Sequence, residues 1–192
     1  MTDAVFPIAL LLEGRACLVV GSSPELTSRT RALLEAGARP TVVSSAPNEA
    51  VRALANAGSI ALQERDFIDS DLENKWLAVL VDADAALAAR MASRAEVERV
   101  FFCAVDQPEY NSYAHMAQAR AGLLTIAIST AGQAPALGRR LREELERLLV
   151  AARMSEFVDR LAALRRSTPS SERRKVLGDA VAGVHFSGEL KL

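Results

Sequence analysis

Three small residues, Gly21, Ser22 and Ser23, follow an apolar run of strand type and precede a segment of helical character. A strand, a tight turn and a helix place the free N–H groups of the helix N-terminus where a phosphate can bind. The pyrophosphate fingerprint asks for small residues at positions 21, 23 and 26. The chain supplies Gly21, Ser23 and Leu26, so the run indicates the fold of a dinucleotide site more strongly than the cofactor itself.

The elements that position this turn alternate along the first half of the chain. Strands are predicted at residues 15–20, 41–44, 60–62, 76–81 and 100–105, with helices at 25–35, 47–58 and 85–94. Strands that alternate with helices of this length predict right-handed crossovers and a parallel sheet. The pattern then changes to one strand at 123–129 and helices at 135–150, 155–166 and 172–182. The sequence therefore predicts an α/β fold with a boundary near residue 112.

Composition excludes several classes of function. Half of the 192 residues are hydrophobic and the formal net charge is −1, so no bulk field recruits nucleic acid or an anionic membrane. No apolar run approaches the ~20 residues of a membrane helix. The apolar residues 6–12 lie between Asp3 and Glu13 without a basic region, so no signal peptide is predicted. Cys17 and Cys103 lie in apolar strands without metal-ligand spacing, which predicts buried thiols in a cytoplasmic protein.

Four segments together match one known family. They are Leu-Glu-Gly-Arg at residues 12–15, Leu-Leu-Glu-Ala-Gly-Ala at 33–38, Val-Asp-Gln-Pro-Glu at 105–109 and the run Leu-Thr-Ile-Ala-Ile-Ser-Thr-Ala-Gly-Gln-Ala-Pro-Ala-Leu at 124–137. Over about residues 6–150 the chain resembles the dehydrogenase and chelatase module of siroheme synthase, also called precorrin-2 dehydrogenase and sirohydrochlorin ferrochelatase. The run at 129–137 is the most specific part, because many unrelated enzymes share the βαβ half.

The resemblance implies siroheme biosynthesis: NAD-dependent oxidation of precorrin-2 to sirohydrochlorin and, in bifunctional members, insertion of ferrous iron in the same cavity. It implies a homodimer in which a Rossmann-like parallel sheet is followed by a small dimerisation region and a C-terminal helical segment. The predicted domains are residues 1–112, which bind NAD, residues 113–150, which dimerise, and residues 151–192, which are helical.

The resemblance also assigns site residues. Asp106, at the end of the fifth strand, matches the family's acid/base group, and it is the candidate metal ligand as well. This position fits, because ligands bind at the carboxyl ends of strands in open parallel sheets. His115, Ser129 and Thr130 fall in segments that the resemblance places at the tetrapyrrole substrate, precorrin-2 or sirohydrochlorin. The residues assigned to NAD are Gly21, Ser22, Ser23, Pro24, Glu25, Ser45 and Ala46.

Several of these residues have a purely structural alternative. Asp106 can cap the turn before Pro108, and His115 can be an exposed or dimer-interface histidine. Three arginines at residues 139, 140 and 142 share one helix, where they can bind substrate carboxylates or form a solvated face with neighbouring glutamates.

The chain departs from the family pattern around the cofactor turn. The family's Gly-Gly-Gly is Gly-Ser-Ser at residues 21–23, and its Ala-Thr-Asp-Asp after the fourth strand is Val-Asp-Ala-Asp at residues 81–84. The second strand ends in Ser-Ser-Ala at residues 44–46, without the acidic residue that holds an adenine ribose. A second function therefore stays open: a tetrapyrrole-binding chelatase or non-catalytic relative that has lost NAD use.

Overall fold

A computed structural model describes residues 5–187 of the chain, which divide into two compact units between His115 and Met116. Asp3, one of the two acidic residues that flank the apolar stretch 6–12, lies outside the described residues. Along residues 5–187 no helix is both long and apolar enough to span a membrane. The division into three domains at residues 112 and 150 stays a prediction.

The first unit is built around a parallel sheet. Its five strands are β1 (Ala16–Val20), β2 (Arg39–Val43), β3 (Ala61–Gln63), β4 (Leu77–Leu80) and β5 (Phe101–Ala104). They lie in the order β3-β2-β1-β4-β5, and every neighbouring pair is parallel. The strand order reverses at β1 and β4, so the turns after these two strands meet at the carboxyl edge of the sheet. The predicted α/β class with a Rossmann-like parallel sheet is confirmed.

Helices and short 3₁₀ turns cover this sheet. They are α1 (Glu25–Glu35), α2 (Glu49–Asn56) and α3 (Ala85–Glu98), with 3₁₀ turns at Asp69–Leu72 and Pro108–Tyr110. Side chains of β1 alternate between two buried clusters. Leu18 and Val20 pack in one cluster with residues of α3, while Cys17 and Val19 pack in the other with Leu26 of α1. Burial on both faces explains why β1 and β4 read as continuous apolar runs.

Helix α1 is fixed at both of its ends. At its start Leu26 is fully buried, so the position that favours Gly or Ala for close helix packing is filled here by a larger core side chain. At its end the Gly37 N–H donates to the Leu34 carbonyl (2.9 Å) and the Ala38 N–H to the Leu33 carbonyl (3.0 Å). Gly37 has a φ of 75°, which glycine adopts at low cost.

Among the α-helices and strands, two differ from the sequence-based expectation by more than two residues. Helix α3 was expected to end at residue 94 but continues to Glu98, where an ion pair from Arg94 spans one more turn. A strand at Ala117–Ala121 was not predicted, because its sequence, Ala-Gln-Ala-Arg-Ala, lacks β-branched and aromatic residues. Alternate burial of Ala119 and Ala121 shows that the strand is defined by its packing and not by its propensity.

The second unit consists of a hairpin and three helices. Its elements are β6 (Ala117–Ala121), β7 (Leu124–Ile128), α4 (Pro135–Ala151), α5 (Met154–Ser167) and α6 (Arg173–Val181). The two strands are antiparallel and are joined by a two-residue turn. Leu145 and Leu149 of α4 pack with Ala119, Ala121 and Ile126 of the hairpin in a small buried cluster. This cluster is much smaller than the two that stabilise the first unit.

Candidate functional site

The turn after β1 is held tightly against β2. The Gly21 N–H donates to the Val43 carbonyl at 3.1 Å, and the Ser22 and Ser44 hydroxyls lie 2.9 Å apart. Gly21 has a φ of 122°, and a Cβ at this residue would lie 2.7 Å from the Asp82 carboxyl group. Glycine is therefore favoured here by the backbone conformation, and a larger residue would also have to displace the Asp82 carboxyl group.

Asp82 reaches this turn because of the strand register. Val20 of β1 pairs with Leu80 of β4, and the Val81 N–H donates to the Val20 carbonyl at 2.9 Å. The next residue, Asp82, turns its carboxylate onto the loop. Its Oδ1 accepts from the Ser22 and Ser23 N–H groups, both at 2.8 Å, and its Oδ2 accepts from the Ser22 N–H at 3.0 Å. The N–H groups that a pyrophosphate would use are bonded to a carboxylate of the chain itself.

A cleft of about 490 Å³ opens beside this loop at the carboxyl edge of β1, β2 and β4. Three of the residues predicted to bind a cofactor line it: Gly21, Ser22 and Ser45. The other charged and aromatic residues that line it had no predicted role; they are Arg65, Asp66, Phe67, Asp82, Asp84 and Arg90. The signal that was available is topological, since residues just after β4 must lie beside residues just after β1 in a sheet of this order.

The remaining predicted cofactor residues do not line this cleft. Ser23 Oγ is buried and has no hydrogen-bond partner within residues 5–187. Pro24 immediately precedes α1, and Glu25 in its first turn pairs with Arg29 at 2.7 Å. Ala46 is exposed after β2. The turn after β1 (residues 21–23, the β1 loop) therefore brings Gly21, Ser22 and Ser23 to Asp82, whose role was not predicted.

Asp106 lies at the same edge of the sheet, after β5. It is exposed and has a φ of 59°, a left-handed backbone that non-glycine residues adopt at a cost and that Asp tolerates better than most. Within the described residues its carboxylate accepts no hydrogen bond, so it does not cap the turn before Pro108. The buried Gln107 beside it donates from Nε2 to the Asp82 carbonyl at 3.1 Å, which joins the turns after β4 and β5.

Two side chains accept hydrogen bonds from backbone N–H groups at the outer edge of β5. These bonds fix the start of the turn that carries Asp106. The Asn111 Oδ1 accepts from the Ala104 N–H at 2.6 Å, and the Ser112 Oγ accepts from the Phe102 N–H at 2.9 Å. These bonds replace the ladder that a sixth strand would supply. The last residues of β5 and the backbone leading to Asp106 are therefore held from both sides.

Tyr113 and His115 form an aromatic pair at the end of the first unit. The Tyr113 hydroxyl lies 3.2 Å from His115 Nε2, and the rings meet edge to face with centroids 5.1 Å apart. Tyr113 packs on the cluster that contains Leu26. Partial loss of water around the ring, together with the nearby Arg29 guanidinium, lowers the pKa of His115 to about 4. The imidazole is therefore neutral at pH 7.

In the second unit, Ser129 and Thr130 begin the loop between β7 and α4. The Ser129 Oγ accepts from the Ala131 N–H at 3.1 Å, and the Thr130 Oγ1 accepts from the Ala134 N–H at 3.3 Å. Both hydroxyls act as acceptors in these bonds, so their own protons can still be donated to an anion. The loop leads directly into Pro135 at the N-terminus of α4, whose dipole favours negative charge.

The arginines at the start of α4 divide into two kinds. Arg140 pairs with Glu144 at 2.5 Å, and Arg142 pairs with Glu146 at 2.6 Å, which gives the solvated face that the sequence allowed. Arg139 is exposed and forms no ion pair within residues 5–187. It is the arginine of this group that is available to an anionic ligand.

Sulfur and carboxylate groups do not form a metal centre in the described chain. Within residues 5–187 no three His, Cys, Asp or Glu side chains lie close enough together to hold a metal ion. Cys17 and Cys103 are free and buried, as predicted, and burial raises the pKa of each thiol to about 11.

Family comparisons match both units of the chain. The family described as "Putative NAD(P)-binding" matches residues 8–116, and the family described as "Sirohaem biosynthesis protein central" matches residues 122–148. The two matches follow one another in the order of the two structural units. The first covers more than half of the chain.

Individual relatives agree with these families. Siroheme synthases of Escherichia coli strains K12/DH10B and E24377A are each 39% identical over 143 residues, which is 74% of this chain and 31% of theirs. The chain thus spans about a third of the length of these relatives. A solved structure named "SirC, precorrin-2 dehydrogenase" has the same fold, with a TM-score of 0.76 and 22% identity over 92% of this chain and 89% of that one. The chain belongs to the NAD(P)-binding family, and its resemblance to the N-terminal module of siroheme synthase is confirmed.

Proposed function

We propose that this chain catalyses the NAD-dependent oxidation of precorrin-2 to sirohydrochlorin in siroheme biosynthesis. The observation that carries the proposal is the succession of an NAD(P)-binding match at residues 8–116 and a sirohaem-biosynthesis match at residues 122–148 in one chain. A nucleotide fold alone is shared by many unrelated enzymes, whereas the second match is specific to this pathway.

Asp106 is the residue proposed to move the proton. The oxidation removes a hydride equivalent and a proton from the tetrapyrrole, and NAD⁺ is the hydride acceptor in such a reaction. An exposed carboxylate at the carboxyl edge of a parallel sheet, with no hydrogen bond from the described chain, is free to accept a proton from a bound substrate. The left-handed φ of 59° at Asp106 supports this role, because strained backbone conformations concentrate at functional sites.

Tetrapyrrole carboxylates are proposed to bind at the loop before α4. Ser129 and Thr130 retain hydroxyl protons for donation, and Arg139 offers a guanidinium without an internal carboxylate partner in residues 5–187. Arginine binds a carboxylate through two parallel hydrogen bonds. His115, neutral at pH 7, is proposed as a further hydrogen-bonding or metal-facing group toward the substrate.

Insertion of ferrous iron is the finer part of the proposal. Here iron is a substrate, and the tetrapyrrole nitrogens supply the ligands that the described chain does not gather into a cluster. Asp106 is proposed to contact the incoming ion and to remove the protons that iron displaces. The test is sirohaem formation from sirohydrochlorin and ferrous iron, compared with the spontaneous rate.

A homodimer is proposed to complete the second unit. A two-stranded sheet is marginally stable by itself in water. Around the hairpin and α4, apolar side chains remain exposed: Leu123 is 74% exposed, Leu148 52% and Val150 76%. Analytical ultracentrifugation is expected to find a dimer, and Leu148→Glu combined with Val150→Glu is expected to shift it to monomer.

The free thiols support a cytoplasmic location.

The residues around the β1 loop fit NAD in part. Gly21 allows backbone to approach a phosphate, and the adjoining cleft of about 490 Å³ lies where a ribose and adenine bind in such folds. The two N–H groups of Ser22 and Ser23 do not fit, because Asp82 holds them. This contact favours the second candidate, a tetrapyrrole-binding chelatase or non-catalytic relative that has lost NAD use.

One assay separates the two candidates. Purified protein is mixed with precorrin-2, with or without NAD⁺, and sirohydrochlorin is followed by its absorbance. NAD⁺-dependent formation at least about tenfold above the protein-free rate supports the dehydrogenase. Sirohydrochlorin binding or iron insertion without NAD⁺-dependent oxidation supports the second candidate. An absence of both would contradict the proposed function.

A further inference from the structure

The β1 loop already binds an anion that belongs to the chain. We propose that Asp82 occupies the pyrophosphate position of this loop, so that a dinucleotide binds only after the Asp82 carboxylate has moved away. Asp82 would then set the dinucleotide affinity of the protein as an internal competitor. The inference rests on the proposed dinucleotide site, but it does not depend on which tetrapyrrole is the substrate.

The contacts of Asp82 reproduce those of a bound phosphate. Its two oxygens accept three hydrogen bonds from the Ser22 and Ser23 N–H groups, at 2.8 to 3.0 Å, directly before the N-terminus of α1. Phosphates bind in folds of this kind to the same two features, the turn N–H groups and the helix N-terminus. A carboxylate at this position has the same sign of charge as a phosphate and likewise presents acceptor oxygens to the two N–H groups.

A pyrophosphate and the Asp82 carboxylate cannot share this position. Each backbone N–H has one proton to donate, and both are directed at Asp82. The space above Gly21 is also taken, because a Cβ built there would meet Asp82 carboxyl atoms at 2.7 to 2.9 Å. Two anions at this separation also repel each other, most strongly where water is partly excluded. Binding of a dinucleotide therefore requires rotation of the Asp82 side chain.

The surrounding structure allows such a rotation while it fixes the backbone. The Asp82 carbonyl accepts from Gln107 Nε2 at 3.1 Å, and Val81 is bonded to β1, so the main chain is held on both sides. The Asp82 side chain is partly exposed and faces the cleft that Arg65 and Arg90 also line. The carboxylate can thus leave the loop for the solvated cleft, where Arg65 and Arg90 are already paired with Asp71 and Asp69 at 2.6 and 2.8 Å.

Asp84 is the natural comparison for Asp82. It lies two residues further on and lines the same cleft, but its carboxylate accepts from the Leu87 N–H at 3.0 Å and begins α3. Asp84→Asn therefore removes the same charge from the same cleft without changing the loop contacts, and asparagine preserves the helix cap. Any gain in affinity that it produces measures the general electrostatic effect of the cleft.

The test is titration calorimetry on the full-length protein and three variants: Asp82→Ala, Asp82→Asn and Asp84→Asn. The probes are NAD⁺, inorganic pyrophosphate and adenosine. Asp82→Ala is expected to bind NAD⁺ and pyrophosphate at least about tenfold more tightly than the unaltered chain, since charge-assisted bonds no longer have to be broken first. Asp82→Asn is expected to show a smaller gain that still exceeds the gain of Asp84→Asn. Adenosine, which has no phosphate, is expected to bind all four proteins alike.

The outcomes separate this inference from the proposed function. If Asp82→Ala gains affinity for pyrophosphate while NAD⁺ binds neither it nor the unaltered chain, Asp82 still competes with a phosphate for the loop, and the NAD-dependent function is wrong. Equal affinities of the unaltered chain and both Asp82 variants for pyrophosphate and NAD⁺ would overturn the inference, even if NAD⁺ binds tightly. A gain from Asp84→Asn as large as that from Asp82→Asn would also overturn it. Circular dichroism and thermal melting confirm that each variant is folded before titration.

Discussion

Asp82 and Asp106 follow neighbouring parallel strands at one edge of one sheet, yet their carboxylates have opposite surroundings. Asp82 accepts three hydrogen bonds from the β1 loop, whereas Asp106 is exposed and accepts none within the described chain. The strand order explains the difference, because β4 adjoins β1 and its phosphate-type loop, while β5 is the outer strand. A carboxylate at this edge is thus either hydrogen-bonded to a neighbouring loop, as Asp82 is, or free to contact a ligand, as Asp106 is.

If the exposed Asp106 carboxylate is the reactive one, its replacement removes most of the activity. Asp106→Asn keeps the size of the side chain but removes the base, so precorrin-2 oxidation is expected to fall by about 100-fold or more. Sirohydrochlorin production at saturating substrate and NAD⁺ is the measurement. Glu109→Gln, which removes an exposed carboxylate three residues further on, is the matched control and is expected to retain activity. Equal losses in the two variants would contradict the role of Asp106.

Replacement of Gly21 tests how closely Asp82 packs on the β1 loop. Gly21→Ala combines an unfavourable φ of 122° with a contact of 2.7 Å to Asp82, and we expect it to lower the free energy of unfolding by about 2–3 kcal/mol. Urea denaturation measures this loss. Gly58→Ala is the control, because Gly58 also has a positive φ of 71° but no atom within 4 Å of the added Cβ.

A double variant isolates the contribution of the contact. If Asp82 is the obstacle, Gly21→Ala is expected to destabilise an Asp82→Ala background by less than it destabilises the unaltered chain. Neighbouring sites couple in this way when they share a contact. Additive losses would show that the backbone conformation of Gly21 is the whole cause.

Asn111 tests what holds the turn that presents Asp106. Asn111→Ala removes the acceptor of the Ala104 N–H (2.6 Å) at the edge of β5, and we expect a loss of about 1–2 kcal/mol in the free energy of unfolding. Hydrogen exchange is expected to rise at Ala104 and at neighbouring amides of β5. Gln118→Ala is the control, because the exposed Gln118 accepts from Arg120 on the hairpin surface and is expected to change stability by less than about 0.5 kcal/mol. Unchanged exchange at Ala104 would show that the β5 edge is held by other contacts.

The sequence predicted the first unit well because its signals are local. Continuous apolar strands, a Pro before α1 and Gly37 after it specify the elements, and their alternation specifies a parallel sheet. Strand β6 was missed because its burial depends on helix α4, which lies later in the chain. β-propensity does not predict a strand of alanine and polar residues that is stabilised by its packing on other elements.

The parts of the candidate site that lie within one continuous segment could be predicted from the sequence. Gly21 and Asp106 were predicted because each follows a strand within a segment that resembles the family's pattern, and their roles stay predictions. Asp82 was noticed as a departure from the family pattern, but its bonds to Ser22 and Ser23 depend on the register between two strands about sixty residues apart. Such a contact becomes visible once the strand order is known.

His115 is expected to make the stability of the chain depend weakly on pH. His115 titrates at about pH 4 in the folded chain, against about 6.5 in an unfolded one. Because the fold favours the neutral ring, the stability that His115 contributes is complete above about pH 6.5 and is lost as the pH falls toward 4. Arg29 opposes protonation of this ring and Glu25 partly favours it.

His115→Gln removes the titrating group and keeps a neutral polar side chain. Between pH 6.5 and 4, the urea midpoint of the unaltered chain is therefore expected to fall more steeply than that of the variant. The effect is expected to be modest because solvent still reaches the side chain. Arg29→Gln provides a second measurement, since loss of its positive charge is expected to raise the pKa of His115 when followed by NMR. Parallel pH profiles for the unaltered chain and His115→Gln would show that the ring titrates alike in both states. His115 would then be a solvent-exposed side chain, as Asp106 is.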